Sequence, residues 1–157
     1  AQWRDYASAR KKEGQIANRQ VWRVCRNILV TETDEAGAQL LTDPDGVIAH
    51  YFRYIRGVRQ IEEFQSLQQE SLPLLNEFLE VPAALEDCAI VGSADTVLAR
   101  LVELVDELGP FGTLVMVGHD WDESGLSQES MHRLAQDILP QLKQHVDSLG
   151  SERWIES

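Results

Sequence analysis

The run Thr113-Leu114-Val115-Met116-Val117, closed by Gly118, constrains this chain more than any other feature. Its apolarity is continuous, not alternating. That pattern predicts a strand covered on both faces, as in a parallel sheet or barrel. The clearest amphipathic helix of the sequence precedes it, from Ser93 to Leu108. Val97, Leu101, Leu104 and Leu108 make one row, and Leu98, Val102 and Val105 the next. Ser93 is the expected N-cap, and Gly109-Pro110 the stop. After the strand, a helix is expected from about Gln128 to Leu149. Met131, Leu134, Ala135, Ile138, Leu139, Leu142 and Val146 share its apolar face, and Pro140 should kink it. Helix, strand, helix is the unit that repeats in α/β barrels.

The upstream elements are less regular. Trp3 to Gly14 reads as a short polar helix. Val21 to Thr31 is a strand candidate rich in Val, Ile, Leu and Trp. Trp22, Val24, Arg26, Ile28 and Val30 fall on one of its faces, and Arg23, Cys25, Asn27, Leu29 and Thr31 on the other. A helix should start at Thr33 and run to about Leu41, with a turn at Asp43-Pro44-Asp45-Gly46. Val47 to Pro82 is helical by pattern, with Gly57 and Pro73 as dividers. The sequence shows no internal repeat.

Charge removes several function classes. Fourteen Lys and Arg stand against 26 Asp and Glu, a net charge of −12. Binding to phosphate backbones or anionic membrane surfaces needs clustered cations, so neither nucleic acid nor a membrane is expected as partner. No run nears the roughly 20 apolar residues that span a bilayer. Cys25 and Cys88 form no CxxC and read as reduced thiols of a cytoplasmic protein.

The densest polar cluster is His119-Asp120-Trp121-Asp122-Glu123, directly after the apolar strand. Ligands gather at the carboxyl ends of such strands. His119, Asp120 and Trp121 are therefore candidates for a substrate pocket, set against the plainer reading of a solvated loop. Asn27 is a further candidate, as a polar group inside a strand, and Tyr51 another, on an aromatic stripe with Phe52 and Tyr54. Core packing is the plainer account of that stripe, and an ion pair the plainer account of Arg26. Asp120, Asp122, Ser124 and Gly125 partly match a calcium loop, but Met131 stands where a bidentate Glu is needed. The four histidines lack metal-pair spacing, so no metal site is expected.

Three segments together carry a resemblance: Trp22 to Asp34, Ile90-Val-Gly-Ser-Ala-Asp-Thr-Val97, and Gly109-Pro-Phe-Gly through His119-Asp-Trp-Asp122. Ser130-Met131 and Leu139-Pro140 continue it. The chain resembles the carboxyl-terminal part of bacterial-luciferase-like, flavin-dependent monooxygenases, nearest their terpene (limonene-type) branch. The resemblance implies a partial TIM barrel, α/β by origin and mostly helical as an isolated chain. Residues 1–20 would be an N-terminal helix and loop, 21–31 the seventh barrel strand, 33–87 a helical insertion, and 93–149 the closing helix–strand–helix. It also implies a parent that uses reduced FMN, supplied by a flavin reductase, and oxygen on a small organic substrate. Catalytic and cofactor-binding residues stay unassigned. A whole barrel takes about 250 residues. Only two of its strands are expected here, so the fragment should be catalytically silent and form homo-oligomers through its open sheet edges. The alternative is a non-catalytic helical binding or assembly module derived from such an enzyme.

Overall fold

Parallel strands need long connections, and this chain places them accordingly. The computed structural model describes residues 2–59, 89–118 and 125–156. Helix α1 (Gln2–Lys12) leads into a two-residue strand β1 (Ala17–Asn18) and a 3₁₀ turn, Arg19–Val21. Asn18 caps that turn by accepting from Gln20 N–H at 2.8 Å. The turn uses up the first residue of the expected strand, so β2 runs from Arg23 to Val30. Helices α2 (Asp34–Thr42) and α3 (Val47–Arg59) follow. Thr33 caps α2 through a bond from Ala36 N–H. Gly57 does not end α3, which continues through it. Pro73 and Cys88 lie outside the described residues; Cys25 is an exposed free thiol.

Next come β3 (Ala89–Gly92), α4 (Ala94–Leu108) and β4 (Thr113–Val117). The main sheet is parallel, in the order β3-β2-β4. The expectation of two strands is therefore corrected to three. Strand β3 is only four residues long and is defined by its pairing with Asn27–Val30, a long-range fact that a short apolar run does not display. Among the described residues the chain is mostly helical around this small sheet.

The last helix is also corrected. It is α5 (Leu126–Arg133), a π turn at Leu134–Ile138, and α6 (Leu139–Ser148). Pro140 has no N–H to give, and the widened turn precedes it, with Leu139 N–H reaching the Leu134 carbonyl. The buried stripe is Ser130, Leu134, Ile138 and Leu142, while Met131 and Leu139 are 50% and 40% exposed. A four-residue spacing drifts by about 40° per step on a straight α-helix. The π turn takes back part of that rotation, so every fourth residue faces the sheet. A 3₁₀ turn (Ser151–Trp154) then leads to β5 (Ile155–Glu156), which pairs antiparallel with β1.

The core lies between one face of the sheet and helices α4 to α6. Ile28, Val30 and Ile90 meet Val97, Leu101, Val105, Leu134, Ile138 and Leu142 there. Leu114 and Met116 of β4 pack against the same cluster. The opposite face of β4 is not covered among the described residues: Thr113 is exposed and Val115 is 38% exposed. Continuous apolarity predicted burial on both faces; among the described residues Leu114 and Met116 pack on the core while Thr113 and Val115 stay exposed and Val117 is half-buried.

Ser130 joins the last helical unit to the sheet. Its fully buried hydroxyl accepts from Val30 N–H at 2.7 Å, beyond the point where β4 stops pairing. Replacing Ser130 with Ala leaves that N–H unsatisfied. We expect a loss of about 1–3 kcal/mol, seen as a lower urea midpoint with an unchanged m-value.

Candidate functional site

The carboxyl ends of β2 and β3 meet in a tight junction. Thr31 N–H donates to the Gly92 carbonyl at 2.8 Å, and Thr31 Oγ1 donates to the Thr33 carbonyl. Gly92 has φ of 153°, and a Cβ there would sit 2.8 Å from Asp34 Oδ1. Glycine is what lets the backbone pass so close to the carboxylate. That carboxylate accepts from Ser93 N–H at 2.7 Å and from Thr96 Oγ1 at 2.9 Å. It sits on the positive end of α4. The Ser93 backbone hydrogen bond is the main cause that holds the Asp34 carboxyl below its ordinary value of 3.8, with Thr96 adding to it.

Beside this junction, a groove of about 540 Å³ opens between α2 and α5. Thr31, Glu32, Gln39, Asp43, Glu129 and Arg133 supply its polar lining. Arg133 Nε lies 3.1 Å from Glu129. The described lining therefore presents mainly acid, with Arg133 as its cation beside Glu129. A second groove, of about 800 Å³, lies toward the opposite ends of the strands. Trp3, Arg19, Trp22 and Arg23 line it, with the last turn of α4. Within that lining the Arg19 guanidinium lies 4.4 Å from the Trp3 ring and donates to the Leu108 carbonyl at 2.7 Å.

The sequence candidates fall in three places. His119, Asp120 and Trp121 lie outside the described residues. Asn27 is half-buried midway along β2. Tyr51 is half-buried on α3, edge-to-face with Phe52 at 5.3 Å. The described lining of neither groove includes Asn27 or Tyr51. Arg26, expected to pair with a carboxylate, instead donates to the Cys25 carbonyl at 2.8 Å. His145 meets Asp106 at 2.8 Å and is about a quarter exposed. The groove at Thr31, Glu32 and Arg133 was missed. Its signal was the polar run Thr31-Glu-Thr-Asp34 directly after a strand. No group of three potential metal ligands occurs among the described residues. No described helix is long and apolar enough to cross a membrane.

No protein-family model and no curated protein matches the chain. Among solved structures it is similar to a type II Baeyer-Villiger monooxygenase from Pseudomonas putida. That protein is the oxygenating constituent of 3,6-diketocamphane monooxygenase from the CAM plasmid, solved in complex with FMN. The likeness is one of fold. The TM-score is 0.63 at 21% identity, over 88% of this chain and 38% of that one. This chain thus spans well under half the length of its structural neighbour.

The described residues do not fit a flavin phosphate. The N-terminus of α4, where an anion would be received, already holds the Asp34 carboxylate. The neighbouring groove offers Glu32, Asp43 and Glu129 to a dianion, which repels it.

The Asp34 contact has a pH signature. Its carboxyl titrates lower folded than unfolded, so its stabilisation is present above the ordinary value of 3.8. It is lost as pH falls below that value, through the folded one. Asp34→Asn should lower the melting temperature at pH 7. The gap to the parent chain should close below pH 3.8, as followed by circular dichroism across pH.

Proposed function

We propose that this chain is the carboxyl-terminal part of a flavin-dependent monooxygenase that acts on a small organic substrate. The observation that carries this reading is the match of 88% of the chain to 38% of an FMN-bound oxygenase. The half-covered face of β4 supports it, because an apolar strand built for burial lacks its second layer among the described residues. In this reading β2 and β4 are the last two strands of a TIM barrel. Residues 33–87 are an insertion between them, with β3 leading into α4. The terpene-monooxygenase branch is the family reading we favour, on the Gly109-Pro-Phe-Gly to His119-Asp-Trp segment.

Bound FMN would supply oxygen activation in the parent, with a separate reductase delivering the reduced flavin. The chain's own residues do structural work around it. Thr31, Gly92 and Asp34 hold the carboxyl ends of two strands at one level. Asn27 and Val115 then face the side on which a barrel interior would form. His119, Asp120 and Trp121 would reach the substrate side from the loop after β4. The chain alone is proposed to be inactive, and to associate with a second copy through the open edge of β4.

Two titrations test this. The 157-residue chain should show no saturable quenching of FMN fluorescence. The same chain extended by the in-frame codons upstream of Ala1 should bind FMN and consume oxygen when reduced flavin is supplied. FMN binding by the short chain, or indifference of the extended chain to flavin, would overturn the proposal. For association, sedimentation should give a mass above 17.7 kDa, and Val115→Lys should shift it toward the monomer.

A further inference from the structure

We draw no further inference here: the strongest candidate, the exposed apolar stripe of Met131, Ala135 and Leu139 along α5, the π turn and α6, is an unpartnered face among the described residues, and nothing in the structure shows what covers it.

Discussion

A central parallel strand must satisfy its backbone on two sides with partners far away in sequence, and β2 is the strand on which this chain solves that problem. On one side it has β4 up to Asn27, then the Ser130 hydroxyl at Val30. On the other it has β3 from Asn27 onward. Before Asn27, among the described residues, the Cys25 carbonyl on that side accepts from the Arg26 guanidinium. Each partner comes from a different part of the chain, so the helices between them must lie over the sheet. The core of Ile28, Val30, Leu101 and Ile138 follows from that requirement, because crossover helices bury the face they cross.

The two ends of the sheet are closed by opposite chemistry. At the carboxyl ends an anion sits on a helix start, Asp34 on α4. At the amino ends a cation sits on the finish of the same helix, Arg19 on the Leu108 carbonyl. Both charges complement the dipole of α4. At each end the backbone passes too close for a side chain. Gly92 makes room for Asp34, and a Cβ at Gly112 would run into the Gln20 carbonyl. A phosphate at the usual helix start would have to displace a carboxylate that two donors hold. The helix start of α4 is therefore already occupied by this chain's own carboxylate.

Local chemistry was legible in the sequence, and long-range geometry was not. The Ser93 and Thr33 caps were readable because a cap is a property of four adjacent residues. The α4 stripe was readable because its period repeats over four turns. Strand β3 was hidden because Ala89–Gly92 becomes a strand only against Asn27–Val30, some sixty residues away. Met131 and Leu139 were misplaced because the helical period assumed a straight helix, while a π turn before Pro140 rephases the stripe onto Ser130. The groove at Thr31, Glu32 and Arg133 draws on three elements at once, and the polar run Thr31 to Asp34 marks only one of its walls.

The same contrast bears on function. An apolar strand exposed on one face, and a strand edge completed by a side chain, are two signs of one condition. The sheet has more binding capacity than the described chain uses. Net charge would keep acidic partners away from most of such a surface. Arg4, Arg19, Arg23 and Arg26, which all line the larger groove, reverse that locally.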